Sequence, residues 1–453
     1  MRRQEMNWQT ESIFASEPVV TARLGIPPAP VTLRTFMSKR ATTGRAGASE
    51  KQDTPLPDLN PPGGLWFRGD FGRALFRESR HSEFPVQSSR IPSLDGLRAL
   101  SILLVCVGHL AYSAGFPIRH NWWTDAYAHY GVRIFFVISG FLITSLLIRE
   151  REETGTINLK QFYIRRAYRV LPAAYVYLVV MSVVFHESLA YKYLIIAYTF
   201  LTSYSLHSPW VLIHLWSLSV EEQFYLLWPA AMALGFIVAR RFGFGALAVA
   251  PVVRFVLLQG AWHLGALWFF PAVVDSLAAG CLFAMYQSEL GKHRSFFTWR
   301  GFPLIWAVTL SIPILHHYHY ILKFWHVAGL VQVSALTIFN LGIVLCIQNA
   351  IIVRPRLLNT PMVIWIGNLS YGLYLWQMPF TNANVQSWAT AFPQNLILAM
   401  LAAAVSFYAI EQPALRLRER SAKKARPFEA KGKDASSLSH SPPLRLEANR
   451  PRQ

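Results

Sequence analysis

The sequence predicts an all-α fold: a polytopic integral membrane helix bundle of about ten transmembrane helices, with disordered N- and C-terminal tails. Of the 453 residues, 53% are hydrophobic and only 15% are charged, whereas soluble domains carry about a quarter charged residues. Long apolar runs fill residues 91–417, and most approach the ~20 residues that a bilayer requires. Basic clusters recur between these runs, as the positive-inside rule predicts for a multi-pass membrane protein.

The two ends of the chain differ in composition from its middle. Residues 1–90 are rich in Pro, Ser, Arg and Gly, and no apolar signal-peptide segment follows Met1. Such a composition buries too little apolar surface to offset the entropy of ordering. We therefore predict a disordered N-terminal tail over 1–90, a membrane domain over 91–417 and a basic disordered tail over 418–453.

Eleven apolar segments are candidate membrane helices: 97–115, 131–149, 170–186, 190–206, 213–239, 243–259, 264–286, 302–316, 325–349, 362–380 and 394–411. All basic clusters can lie in the cytoplasm only if two crossings separate each neighbouring pair of clusters. Three candidates lie between Arg169 and Arg240, and 190–206 is the weakest because it is rich in Tyr, Thr and Ser. We predict that it does not cross, which leaves ten crossings and both termini in the cytoplasm.

The net charge of +19 lies largely in the tails and in short loops. This distribution indicates membrane topology, with the lipid bilayer as partner, and we predict no nucleic-acid partner because no basic stripe is interleaved with aromatic residues. The cysteines all lie in apolar runs without metal-ligand spacing, so we predict buried, inert thiols and no metal site. They are Cys106, Cys281 and Cys346.

Arg98 and His109 are eleven residues apart in an almost wholly apolar stretch. On a helix that step falls about 20° past three full turns, so both side chains share a face, ~16 Å apart along the axis. Ionisable residues inside membrane helices are functional candidates. We expect Arg98 to bind an anionic group at the cytoplasmic mouth and neutral His109 to accept a hydroxyl proton deeper inside. The alternative is a histidine hydrogen-bonded between helices.

A second basic pair precedes the third candidate span. Arg166 and Arg169 are three residues apart and share a helical face. Two guanidinium groups suit phosphate, but positive-inside anchoring explains the same spacing equally well.

Acidic and aromatic residues lie within later apolar spans. Glu221 shares a face with Tyr225 in a segment that begins near Trp216, and either an interhelical ion pair or a substrate contact would explain a carboxylate there. Asp275 is another acid inside a span. Ser139 and Gly140 indicate close helix packing rather than a nucleophile.

The segment around residues 368–380 interleaves Tyr371 and Tyr374 with Trp376 and Gln377. Aromatic faces with hydroxyl groups suit sugar or adenine, although an interfacial aromatic belt gives the same pattern. We assign Trp216, Tyr225, Asp275, Tyr371 and Tyr374 to substrate binding.

In this order, these blocks resemble the membrane acyltransferase-3 family of bacterial O-acyltransferases. The matching stretches are SLDGLRALSILLVCVGHL, GVRIFFVISGFLI, RRAYRVLP, LWSLSVEEQFYLLWP, VDSLAAG, LSYGLYLW and IEQP, within residues 91–417. The resemblance implies a multi-pass enzyme of the bacterial inner membrane. It would move an acyl group, commonly acetyl, from acyl-CoA to a hydroxyl of a carbohydrate, lipid-linked sugar or other envelope-linked acceptor. Acyl-CoA is then a donor substrate, and no cofactor is permanently bound.

The resemblance also implies roles for single residues. The family's Arg–ten residues–His motif falls on Arg98 and His109, with His109 as the catalytic base. Its Arg-x-x-Arg motif falls on Arg166 and Arg169 at the CoA side, and its WSLxxE motif places the acid on Glu221.

Two positions depart from the family pattern. Gln377 stands where the family often has histidine, and glutamine cannot shuttle a proton. Val273 and Val274 precede Asp275 where the family often has arginine, so we expect Asp275 to lack its usual partner.

The predicted mechanism is direct transfer. Arg98, Arg166 and Arg169 hold the phosphates of acyl-CoA, and His109 deprotonates the acceptor hydroxyl as it attacks the thioester. The alternative is a proton-coupled transporter or flippase of a sugar-like substrate, with His109, Glu221 and Asp275 as the proton relay.

Overall fold

The computed structural model describes residues 91–258, 268–293, 295–298, 301–321, 328–382 and 385–421. The predicted N-terminal tail lies outside the described residues, as does the C-terminal tail beyond Ser421. Within the described ranges the chain is helical and contains no β-strand, which confirms the predicted fold class.

Twelve helices follow in chain order within the described ranges. They are α1 (Pro92–Leu110), α2 (Trp122–Thr154), α3 (Leu159–Val184), α4 (Tyr191–Tyr198), α5 (Trp210–Ile213), α6 (Leu215–Leu234), α7 (Phe236–Leu258), α8 (Phe270–Lys292), α9 (Phe302–Ile321), α10 (Ala328–Val353), α11 (Pro361–Trp376) and α12 (Gln394–Ser406). α12 continues through a π-helical turn, Phe407–Glu411, and reaches Ser421.

Seven described helices are long and apolar enough to cross a membrane, by length and composition: α1, α2, α3, α7, α8, α10 and α12. The other three predicted crossings correspond to α6, α9 and α11. The total of ten crossings and the cytoplasmic termini therefore remain predictions.

Two sequence predictions about spans have clear outcomes. The segment 190–206 forms only the eight-residue α4 and a short 3-10 turn, so the described chain there is too short to cross. The prediction of one helix over 213–239 is wrong, because α6 ends at Leu234 and α7 begins at Phe236. Gly235 separates them with φ 137°, a conformation that side-chain-bearing residues rarely adopt.

Helices also extend beyond the apolar runs that predicted them. α2 begins nine residues before the predicted 131, because the Asn121 side chain accepts hydrogen bonds from the Trp123 and Thr124 backbone amides. At its other end Gly155 terminates the helix in the left-handed conformation. Capping groups, rather than hydropathy, set these ends.

α1 packs against α2 and α11. α2 crosses α8 at very short range: a Cβ atom added at Gly280 would collide with the carbonyl of Val137, and one at Gly140 with the carbonyl of Leu277. These contacts confirm the packing interpretation of Gly140. They also fix the distance between helices that carry polar residues of the site.

Candidate active site

The predicted Arg98–His109 pair occupies the two ends of α1. Arg98 lies in the second turn, and His109 lies in the last turn. Along a straight helix they are ~16 Å apart. The polar residues of the bundle gather around these two positions, which we call the arginine end and the histidine end.

At the histidine end, the Gln377 side chain at the end of α11 lies beside the imidazole of His109. The indole ring of Trp210 lies edge-on to the imidazole, with the ring centroids 6.2 Å apart. His109 Nδ1 is buried and has no hydrogen-bond partner among the described residues, and the same is true of Gln377 Oε1. Buried polar atoms are normally satisfied, so this region is suited to a polar ligand.

Trp210 forms a wall of the histidine end. Its Nε1 donates to the Met378 carbonyl at 2.9 Å, next to Gln377. Its ring also contacts that of Tyr112, with the ring centroids 5.4 Å apart. Trp210 therefore contacts both His109 and the loop that follows α1.

Tyr112 and His120, in the loop after α1, both contact Asp125 near the start of α2. The Tyr112 hydroxyl donates to Asp125 at 2.7 Å, and His120 Nε2 lies 3.0 Å from the same carboxylate. Burial, together with the Asp125 carboxylate, raises the pKa of the Tyr112 hydroxyl, so tyrosine remains the donor of this bond. Asp125 is also within electrostatic range of His109.

At the arginine end, Arg166 is bound by two glutamates. Its Nη2 lies 2.7 Å from Glu222 Oε1 and 3.4 Å from Glu221 Oε2. Its guanidinium also lies 3.4 Å from the centre of the Tyr225 ring. The ion-pair alternative for Glu221 is thus present in the structure, and Arg166 is largely charge-compensated.

Arg169 has a different environment. Its side chain is exposed, and its main electrostatic neighbour is Arg98 of α1, with Glu411 of α12 also in range. Arg98 is half-buried and has Asp95 3.9 Å away. The structure therefore brings the two predicted arginine motifs together, with Arg98 beside Arg169 and Arg166 one turn away.

Glu221 connects Arg166 to the interior of the bundle. Besides its ion pair, Glu221 lies beside Ser139 of α2, and the Ser139 hydroxyl hydrogen-bonds the hydroxyl of Tyr225. Ser139 thus lies between the Glu221 carboxylate and the Tyr225 hydroxyl.

Asp275 does not lack a partner, and that expectation is wrong. Arg254 of α7 places Nη1 and Nη2 at 3.1 and 3.0 Å from Asp275 Oδ2, and Arg133 of α2 lies 3.6 Å from Oδ1. Thr337 donates to the same carboxylate at 2.7 Å. Arg254 and Arg133, on other helices, take the place of the arginine that is missing before Asp275. Asp275 of α8 is 0% exposed. Its partners come from three other helices, so this buried network connects α8 to α2, α7 and α10.

The aromatic side chains assigned to substrate binding contact mostly other residues of the chain. The Tyr371 hydroxyl donates to the Val170 carbonyl at 2.8 Å, and the Tyr374 hydroxyl donates to the His214 carbonyl and lies 2.7 Å from the Ser217 hydroxyl. Trp216 packs at the edge of the core, with its ring centroid 6.0 Å from that of His129. These side chains shape the bundle around the site, and their contact with substrate remains a prediction.

Sequence reasoning missed several polar residues within the bundle: Arg133, His129, Arg254 and His214. A signal existed for the first and third, because two arginines within apolar spans require a carboxylate, and Asp275 lies in another span. No local pattern identifies the histidines. The described residues contain no group of three or more His, Cys, Asp or Glu side chains placed to hold a metal ion.

The model of the acyltransferase-3 family, which is described as an acyltransferase domain, matches residues 91–411. The chain is similar to a peptidoglycan O-acetyltransferase of Listeria monocytogenes, with 29% identity over 363 residues, 71% of this chain and 54% of the relative. It is also similar to an inferred O-acetyltransferase of Staphylococcus aureus, with 29% identity over 325 residues, 63% of this chain and 50% of the relative.

A third relative, an inferred peptidoglycan O-acetyltransferase of Bacillus subtilis, is 26% identical over 384 residues, 75% of this chain and 56% of the relative. The chain thus spans about half the length of the curated relatives that it matches. No solved structure matches the chain.

Proposed function

The chain belongs to the acyltransferase-3 family and is a multi-pass membrane acyltransferase, and we propose that it moves an acetyl group from acetyl-CoA to a hydroxyl of a cell-envelope carbohydrate. Peptidoglycan is the acceptor that the names of the relatives favour. The proposed site of action is the bacterial inner membrane, with the arginine end facing the cytoplasm.

One observation carries this proposal: His109, the histidine of the family motif, has a buried Nδ1 with no hydrogen-bond partner among the described residues. A neutral imidazole has one donor and one acceptor nitrogen. As a general base, His109 would present an unprotonated Nδ1 to the substrate hydroxyl and keep its proton on Nε2, toward Gln377, whose unpaired amide oxygen can accept it.

The arginine end supports an acyl-CoA donor. Arg98 and Arg169 repel each other, and an anionic group between them would remove that repulsion. Arg169 is exposed and can be reached by a phosphate, and guanidinium groups bind phosphate through two parallel hydrogen bonds. The ~16 Å between Arg98 and His109 lets the diphosphate remain at one end while the thioester reaches the other.

The proposed reaction is a single displacement. His109 removes the proton of the acceptor hydroxyl, the hydroxyl oxygen bonds to the thioester carbonyl carbon, and the carbon–sulfur bond breaks. The proton on His109 then passes to the CoA thiolate. The acceptor enters from the histidine end, so a cytoplasmic donor acetylates a sugar presented from the other side of the membrane.

Oriented proteoliposomes test this arrangement. Labelled acetyl-CoA is supplied at the arginine end and a soluble peptidoglycan glycan fragment at the opposite face, and label on the glycan is measured. We expect transfer from the wild type and none from His109→Ala. Transfer only when both substrates share one face would contradict the two-sided site, and glycan uptake driven by a proton gradient without acetylation would favour the transporter.

A further inference from the structure

Two stacked rings and a carboxylate lie together where α1 ends and α2 begins. The rings of Tyr112 and His120 are stacked, with their centroids 3.9 Å apart and their planes 30° apart. Asp125, in the first turn of α2, contacts both residues: Oδ1 accepts a hydrogen bond from Tyr112, and Oδ2 lies 3.0 Å from His120 Nε2. We call Tyr112, His120 and Asp125 the ring–carboxylate cluster.

The cluster is open to a ligand. The side chains of His120 and Asp125 are 32% and 42% accessible. An ionised carboxylate has roughly four lone-pair sites, and the contacts with Tyr112 and His120 occupy two of them. An accessible aromatic ring therefore lies beside a carboxylate that can still accept hydrogen bonds.

A row of ring contacts leads from the cluster to the proposed base. The Trp210 ring lies 5.4 Å from that of Tyr112 and 6.2 Å from the imidazole of His109, centroid to centroid. Asp125 is also within electrostatic range of His109. The cluster is thus continuous with the histidine end, two ring contacts away from His109.

The loop that carries Tyr112 and His120 is held against the segment before α12. The Phe392 backbone amide donates to the Ala114 carbonyl at 2.9 Å. The Asn395 side chain donates to the Ser113 hydroxyl at 2.8 Å. A surface that is already fixed loses less conformational entropy when it binds a ligand.

We propose that the ring–carboxylate cluster binds one sugar ring of the carbohydrate acceptor, close to the ring whose hydroxyl reaches His109. The proposal rests on the proposed acyl transfer. The apolar C–H face of a sugar packs against aromatic rings, whose faces carry partial negative charge. The Asp125 carboxylate accepts charge-assisted hydrogen bonds from sugar hydroxyls, and it repels the phosphates of acyl-CoA. Binding away from the reacting hydroxyl helps to orient that hydroxyl.

The test measures KM for the acceptor in the full chain, purified in detergent and supplied with acetyl-CoA and a soluble peptidoglycan glycan fragment. Asp125→Asn should raise KM for the glycan about 10–100-fold, as for the loss of hydrogen bonds to a charged group. KM for acetyl-CoA should stay nearly constant. His120→Ala should raise KM for the glycan about 3–10-fold, and His120→Phe, which keeps an aromatic ring, should raise it less.

A matched pair elsewhere in the chain supplies the controls. His186 and Glu187, in the loop between α3 and α4, lie 3.8 Å apart, and their side chains are 71% and 90% accessible. His186→Ala and Glu187→Gln should leave KM for the glycan unchanged. Thermal unfolding of each variant reports folding, and the exposed His120→Ala variant still tests the cluster if Asp125→Asn unfolds early.

The outcomes separate this proposal from the proposed function. Equilibrium dialysis with the labelled fragment should show that His109→Ala binds the glycan as the wild type does, although it transfers no acetyl group. An active wild type whose KM for the glycan is unchanged in Asp125→Asn and His120→Ala would overturn the role of the cluster. Equal rises in the cluster and control variants would do the same. A wild type that acetylates no glycan would overturn the proposed function instead.

Discussion

The Gln377 side chain, at the end of α11, lies beside the imidazole of His109, in the last turn of α1. Gln377 is 1% exposed, so this contact is protected from water. A glutamine cannot accept the proton that a histidine would, but it can hold the ring of His109 in one orientation. We propose that Gln377 positions the His109 ring and takes no proton itself.

Gln377→Leu tests this positioning role. We expect kcat to fall at least tenfold, because the imidazole loses the contact that orients it, while KM for acetyl-CoA stays nearly constant. Gln348→Leu is the matched control, because Gln348 is also a buried glutamine (3% exposed) but lies in α10. An equal fall in kcat for both variants would argue against a specific role of Gln377.

Arg169→Gln tests the donor site. A hydrogen bond to a charged group is worth about 1.5–3 kcal/mol, so we expect KM for acetyl-CoA to rise about 10–100-fold with little change in kcat. Arg165→Gln is the control, because Arg165 is exposed and pairs with Glu150 at 2.6 Å instead. Steady-state kinetics decide between them, and an unchanged KM in the Arg169 variant would remove it from the CoA site.

Asp275→Asn tests the buried network. The substitution leaves Arg254 and Arg133 without their carboxylate, and breaking a buried pair in this way costs about 3–5 kcal/mol. We expect a clear drop in the thermal unfolding temperature in detergent. Glu187→Gln removes a carboxylate whose side chain is 90% accessible and should leave that temperature unchanged. If both variants have the same thermal unfolding temperature, the network does not stabilise the bundle.

Gly280→Ala tests the crossing of α2 and α8. The added methyl group would meet the backbone of Val137 and force the helices apart, and overpacking of this kind costs about 1–3 kcal/mol. At Gly245 of α7 an added Cβ atom meets nothing within 4 Å. Gly245→Ala should therefore be neutral or slightly stabilising, and thermal unfolding of the pair measures the difference.

Hydropathy was sufficient to predict most of the helices, because residues that face a bilayer must be apolar over about 20 positions. It could not predict the break at Gly235, since the residues on both sides are equally apolar. It also could not predict where α2 begins, because Asn121 acts through a local hydrogen bond that hydropathy does not measure.

The site was predicted only where its chemistry is local. Arg98 and His109 share a helix face by spacing alone, and the structure keeps them on one helix. The partners of Asp275 lie on other helices, and only packing shows that Arg254, 21 positions earlier in the chain, reaches it. His214 stayed hidden because its ring contacts, Tyr177 and Tyr374, lie on other helices.

The role of His109 as base is tested most directly by single-turnover transfer from labelled acetyl-CoA to a glycan fragment. Wild type and His109→Ala are compared after thermal unfolding has shown both to be folded. General-base catalysis contributes about 10²–10⁴-fold, so we predict a loss within or above this range, with binding of acetyl-CoA retained. A folded His109→Ala variant that transfers acetyl within about twofold of the wild-type rate would contradict the account.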